Sequence, residues 1–209
     1  NELSGDRLGS ALEGIGDLDN DGVNDLAAGE FLSDDGGNSN GAVWIFFLNK
    51  SGGVKSEYKI NESRFGNGNE LDSDSFGSSI ANIGDLDGDN VTDIAVGEYL
   101  GDDGGTSDGH IWILFLNTTG VVKSEYKINE SRFGNESELS GDGFGRSIEG
   151  IGDLNNDSIK DIVVGEYQND NGGNDNGAVW VLLLNETGGV KNETKINESS
   201  FGNGNELSS

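Results

Sequence analysis

Residues 16–25 read GDLDNDGVND and place Asp17, Asp19, Asp21 and Asp25 within nine positions, with no lysine or arginine among them. Like charges this close repel and disfavour one another's ionised form, in a chain whose net charge is already −27. A hard divalent cation turns that repulsion into attraction. Alternate side chains of an extended loop point the same way, so Asp17, Asp19 and Asp21 converge while Leu18 turns towards the core. Gly22 lets the backbone bend around whatever the aspartates hold, and the Val23 carbonyl and Asp25 carboxylate close the far side. Six or seven oxygens on a small shell suit Ca²⁺; Mg²⁺ demands a compact octahedron and keeps its waters.

The cluster recurs twice. Asp85, Asp87, Asp89, the Val91 carbonyl and Asp93 form the second set; Asp153, Asn155, Asp157, the Ile159 carbonyl and Asp161 form the third. The expectation is one Ca²⁺ per cluster, three in all. Asn90 and Ser158 replace the bend glycine in the later loops. Asn enters left-handed conformations more readily than most residues, so the third loop, with Ser158 and the neutral Asn155, should be the weakest. None is an EF-hand: the twelfth loop position, which an EF-hand fills with Glu, holds Ala28, Val96 or Val164.

The elements that must position these loops repeat every 68 residues. NELSGD begins at Asn1, NELDSD at Asn69, SELSGD at Ser137 and NELSS at Asn205, while KSEYKINESRFGN occurs identically at 55–67 and 123–135. Trp44, Trp112 and Trp180 share one phase, and Phe65, Phe133 and Phe201 another. The chain therefore divides into repeats at 1–68, 69–136 and 137–204, with 205–209 starting a further one. Each repeat reads as four strands; in the second these are 76–83, 93–100, 111–117 and 121–129. No stretch carries a helical period with caps, so the fold class is all-β, tandem four-stranded antiparallel blades. One such unit cannot cover both faces of its unbroken apolar third strand (IWILFL, 111–116), so the units must stack. These runs are too short to span a membrane.

With 39 acidic against 12 basic residues there is no basic stripe to meet phosphates, which excludes nucleic acid as a partner. The absence of Cys leaves no disulfide framework. Neither an initiator Met nor a signal peptide is present, which reads as a mature or excised segment. Nothing points to an enzyme. The single histidine, His110, stands where Ala42 and Ala178 stand in the other repeats, and reads as a satisfied or exposed residue. Glu30, Glu98 and Glu166 could be imagined as glycosidase carboxylates, but their threefold phase reads as structural or surface residues of each unit.

The stretch FGSSIANIGDLDGDNVTDIAVGE followed by GHIWILFLN resembles the FG-GAP repeat of integrin α-chain propellers and related bacterial surface proteins, and the resemblance covers nearly the whole chain. It implies propeller blades with Ca²⁺ in the loop between the first two strands, on the positions named above. Leu8 departs from the motif's Phe, which Phe76 and Phe144 keep. Gly-Glu, at Gly29–Glu30, Gly97–Glu98 and Gly165–Glu166, replaces its Gly-Ala-Pro. No integrin ligand-binding residue is carried over.

Asn-x-Ser/Thr occurs ten times. Two series run in phase, Asn49, Asn117, Asn185 and Asn61, Asn129, Asn197, both at strand ends where a surface N-linked glycan fits. Asn90 and Asn156 lie inside the acidic loops and read as accidental. Three blades cannot close a ring, which takes about four to eight. The loops 36–41, 104–109 and 172–177 are barely differentiated, as a structural array allows. Two functions follow. The first is a calcium-stiffened, glycosylated extracellular or cell-surface fibre or stalk, built by blades or copies of the chain stacking on one another. The alternative is a fragment of a closed integrin-like propeller that binds an extracellular protein or carbohydrate.

Overall fold

The computed structural model describes residues 5–34, 39–64, 71, 75–101, 108–132, 139, 143–168 and 176–200. Its strands form three four-stranded antiparallel sheets. The first holds β1 (Leu12–Gly16), β2 (Asp25–Gly29), β3 (Val43–Leu48) and β4 (Val54–Ile60). The second holds β5 (Phe76–Gly84), β6 (Asp93–Glu98), β7 (His110–Leu116) and β8 (Val122–Ile128). The third holds β9 (Phe144–Gly152), β10 (Asp161–Glu166), β11 (Ala178–Leu184) and β12 (Val190–Ile196). Each is a meander in chain order, open rather than closed into a barrel, and the all-β reading holds. Among the described residues helix is confined to single 3₁₀ turns at Glu62–Arg64, Glu130–Arg132 and Glu198–Ser200. Three residues leave no period to detect, so the sequence pattern did not reveal them.

Stacking explains why the third strands are apolar on both faces. Ile15, Leu18, Ile45 and Phe47 of the first sheet share a core with Phe76, Ile94, Val96 and Trp112 of the second. The same surface one repeat later, including Ile83, Leu86, Ile113 and Phe115, packs on Phe144, Ile162, Val164 and Trp180. Every residue of β7 is consequently buried, whereas the outer strand β8 fully buries only Ile128.

The Phe-Gly and Gly-Glu pairs clasp one sheet to the next. The Phe76 N–H donates to the Asn40 carbonyl at 3.1 Å, and Phe144 repeats this with Asp108 at 3.2 Å. A Cβ on Gly29 would lie 1.9 Å from the Gly77 carbonyl oxygen, and one on Gly97 would lie 2.1 Å from that of Gly145. Only glycine admits so close a backbone approach.

The outer faces separate residues that share a phase. Trp112 and Trp180 are buried, but Trp44, at the same phase, is only half-buried, because no described sheet stands in front of the first. Leu12 is 62% exposed where its counterpart Ile80 is 6% exposed, and Leu154 is 57% exposed where Leu86 is 3% exposed. Leu18 turns into the core as expected, and its counterpart Leu86 does the same, whereas Leu154 does not. Leu8 likewise lies at the surface while Phe76 and Phe144 are fully buried. The repeat starts at Asn1, Asn69, Ser137 and Asn205, and Phe65, Phe133 and Phe201, lie outside the described residues.

Candidate metal centres

The acidic loops join β1 to β2, β5 to β6 and β9 to β10. Each bends at the expected position with a left-handed residue: Gly22 at φ 84°, Asn90 at φ 67° and Ser158 at φ 71°. The first aspartate shapes the loop. Asp17 accepts the Asp21 and Gly22 N–H groups at 2.8 and 2.9 Å. Asp85 accepts those of Gly88, Asp89 and Asn90, and Asp153 those of Asp157 and Ser158.

The last aspartate anchors it. Asp25 accepts the N–H groups of Leu18 at 2.9 Å and Leu48 at 3.0 Å, tying the loop to the end of the third strand. Asp93 holds Leu86 and Leu116, and Asp161 holds Leu154 and Leu184. Burial pushes the Asp93 carboxyl up to about 6, against the two N–H donors that favour its charged form. Spacing alone showed these three residues only as ligands; their second tie, to a strand 23 residues further on, leaves no local signal.

Asp17, Asp19 and Asp21 each bring a carboxylate oxygen to within 4.8 Å of the others, as do Asp85, Asp87 and Asp93. The third loop forms no comparable carboxylate group among the described residues; Asn155 stands in its middle and its amide donates to Asp157 at 3.0 Å. Asp19 Oδ1 is buried without a hydrogen-bond partner. An all-oxygen donor set with an unused, desolvated carboxylate oxygen fits a hard cation. Asp17, Asp19 and Asp21 would hold it in the first loop and Asp85, Asp87 and Asp93 in the second, where it would neutralise their charge.

Sequence spacing also missed a cation supplied by the fold. Lys55 of β4 reaches Asp19 at 2.6 Å and also Asp21. Lys123 of β8 reaches Asp87 at 2.9 Å and also Asp89, and Lys191 of β12 pairs with Asp157. These hydrogen bonds hold the Asp21, Asp89 and Asp157 carboxyls below the usual range and push Lys55 up. The lysines stand 68 residues apart, so their shared phase was the available signal.

The phased glutamates are structural, as their repetition suggested. Glu30, Glu98 and Glu166 are fully buried. Each accepts a tryptophan indole N–H, from Trp44 at 2.9 Å, Trp112 at 2.7 Å and Trp180 at 2.8 Å. Each also faces a lysine: Lys59 at 2.7 Å, Lys127 at 3.8 Å and Lys195 at 3.1 Å. His110 is buried with Nδ1 3.3 Å from Glu98, one more polar group of that cluster.

All six phased sequon asparagines adopt one local geometry. The Oδ1 atoms of Asn49, Asn117 and Asn185 accept the hydroxyls of Ser51, Thr119 and Thr187. Those of Asn61, Asn129 and Asn197 accept the hydroxyls of Ser63, Ser131 and Ser199. The first series caps the hairpin between third and fourth strands, where Asn49 also accepts the Gly53 N–H at 3.1 Å.

The FG-GAP repeat family matches residues 76–114 and 144–182, which cover the first two strands, the acidic loop and most of the third strand of the second and third sheets. The chain is 30% identical over 168 residues to integrin alpha-2 of Mus musculus, covering 77% of this chain and 13% of that protein. It is 35% identical over 107 residues to integrin alpha-4 of Xenopus laevis, covering 48% and 10%. With integrin alpha-11 of Homo sapiens it shares 30% identity over 172 residues, covering 79% and 13%. The chain thus spans about an eighth or less of the length of these relatives.

Proposed function

Because the chain is an integrin-like FG-GAP repeat protein, we propose that it is part of an extracellular, adhesion-related array of calcium-binding blades that extends by further stacking, as a fibre or stalk. The repeats at 1–68, 69–136 and 137–204 are its units. It performs no catalysis; its acidic loops stiffen blades instead of activating a substrate. The carrying observation is that the two open faces are the two halves of a junction. Leu12, Trp44 and Phe46 present, partly uncovered, the surface that Ile80, Trp112 and Leu114 bury. Ile151, Leu154, Val179 and Ile196, all exposed, present the one that Ile83, Leu86, Ile111 and Ile128 bury. A head-to-tail contact of unlike faces that does not close a ring produces a filament. The similarity to integrin alpha chains favours a second reading, a piece of a closed propeller whose loops recognise a protein or carbohydrate.

Light scattering on this chain with Ca²⁺ separates these outcomes. Stacking predicts growth into long particles, a propeller predicts uniform closed rings, and a stable monomer at micromolar concentration contradicts continuation by stacking. Gly165→Ala sharpens the test. A Cβ there comes too close to one atom, Ser147 Oγ at 2.2 Å, which can rotate away. The folded chain should tolerate the change, while stacking onto a following blade, with the close approach seen at Gly29 and Gly97, should fail.

Affinity for Ca²⁺ should fall in the weak range of extracellular modules, roughly 10⁻⁴ to 10⁻³ M, and excess EGTA should lower the melting temperature. Unchanged melting in chelator would count against the metal reading. Native protein should carry N-linked mass on the series at Asn49, Asn117 and Asn185 or on that at Asn61, Asn129 and Asn197. Peptide mass spectrometry finding all six bare would remove the glycan coat and leave the metal reading intact.

A further inference from the structure

We propose that Lys55, Lys123 and Lys191 are tethered counter-cations, each holding its loop's converging carboxylates together when no ion is bound and leaving when Ca²⁺ arrives. This rests on the calcium reading of the loops and adds a competitor that sets their affinity. Each lysine is the second residue of the fourth strand of its sheet, so the same register delivers it in every repeat.

The carboxylates it takes are telling. The first aspartate of each loop is engaged by the loop's own N–H groups, and the last by two backbone N–H groups. At the third and fifth positions one oxygen of each carboxylate is kept for a cation: Asp21, Asp87 and Asp89 accept a loop N–H through Oδ1, while the Oδ2 atoms of Asp19 with Asp21, and of Asp87 with Asp89, meet the lysine. In the third loop, where Asn155 is neutral, only Asp157 is paired.

An ammonium is a compact point charge with three donors. It can bridge two carboxylates but cannot satisfy a shell of six or seven oxygens. Two cations cannot share those oxygens without strong repulsion, so Ca²⁺ binding must expel the lysine. Its side chain is placed to go: Lys55 and Lys123 are 30% exposed and Lys191 44%. Lys59, Lys127 and Lys195, four residues further along the same strands, are 11–14% exposed and committed to the buried glutamates. The metal-free loop is therefore never a bare cluster of four carboxylates, and the ion must outcompete a resident charge.

Two experiments on the full chain test this. First, calorimetric Ca²⁺ titration compares the unaltered protein with the Lys55→Met, Lys123→Met, Lys191→Met triple variant and with the corresponding Lys→Arg triple variant. Loss of the competing charge should tighten Ca²⁺ binding roughly three- to tenfold, and Arg should leave it near the unaltered value. Equal affinity in the Met and unaltered proteins overturns the proposal while the metal reading stands; Ca²⁺ uptake by neither overturns both. Second, amine acylation of the unaltered protein, read by mass spectrometry, requires no substitution to fold. Adding Ca²⁺ should raise the reactivity of Lys55, Lys123 and Lys191 and leave Lys59, Lys127 and Lys195 protected. Unchanged reactivity of the first three on saturation with Ca²⁺ overturns the proposal.

Discussion

Glu98→Ala should lower the melting temperature by roughly 6–20 °C, the equivalent of about 3–5 kcal/mol for removing one partner of a buried charged pair in a domain of this size. The carboxylate is fully buried in the middle sheet, between the Trp112 indole N–H at 2.7 Å and the Lys127 ammonium at 3.8 Å, with the His110 ring at 3.3 Å. Lys127 also lies 4.9 Å from the centre of the Trp112 ring. Truncation leaves the indole N–H without this acceptor and the lysine without this partner, in a place water reaches poorly. Glu125→Ala, on the exposed strand β8, changes net charge by the same amount and should stay within about 0.5 kcal/mol. Lys127→Met added to Glu98→Ala should recover part of the loss, since the orphaned charge goes too. Thermal melts of the four proteins suffice. Equal behaviour of Glu98→Ala and Glu125→Ala would mean that the cluster contributes nothing to the blade.

Gly97→Ala is expected to open a junction. Its new Cβ would lie 2.1 Å from the Gly145 carbonyl oxygen of the next sheet and 2.2 Å from Ser79 Oγ. A serine hydroxyl can rotate; a backbone carbonyl held in a neighbouring sheet cannot. The second and third sheets must separate, which uncovers part of the core formed by Ile113, Phe115, Phe144 and Trp180. Overpacking costs about 1–3 kcal/mol where a core yields locally and more where it does not, so a loss at or above the top of that range is expected. Gly165→Ala has no following sheet to meet among the described residues and should cost about 1 kcal/mol or less. Hydrogen exchange should show the third sheet losing protection first in Gly97→Ala. Protection equal to the unaltered protein would contradict the clasp.

Much of this was legible because the same physics repeats in phase. The apolar run at 111–116 could only be a strand buried on both faces, and β7 is buried throughout. The acidic loops declared themselves by alternation and by a residue able to bend, and Gly22, Asn90 and Ser158 all bend where expected. Burial differed between equivalent residues where a neighbour is missing. Trp44 and Leu154 differ from Trp112 and Leu86 through the sheet packed against them, which no property of the residue encodes.

Long-range polar partners were not legible either. Lys55 lies 36 residues from Asp19, and nothing local says that a strand alternating lysine with serine and glutamate directs one lysine at an acidic loop and another at a buried glutamate. The twofold use of Asp25, Asp93 and Asp161 is hidden for the same reason: their contact with the third strand exists only once the sheet has formed. The Gly-Glu pair carried more than its departure from Gly-Ala-Pro suggested. Its glycine touches the next sheet in the first and second repeats, and its glutamate anchors the tryptophan in all three.

The central claim is that the three acidic loops are calcium sites, and anomalous scattering from crystals grown with Ca²⁺ tests it most directly. The account predicts one peak in each loop, with Asp17, Asp85 and Asp153 among the ligands, Lys55, Lys123 and Lys191 turned away, and the third peak the weakest. Density with no divalent cation in any of the three loops at millimolar Ca²⁺ would contradict it.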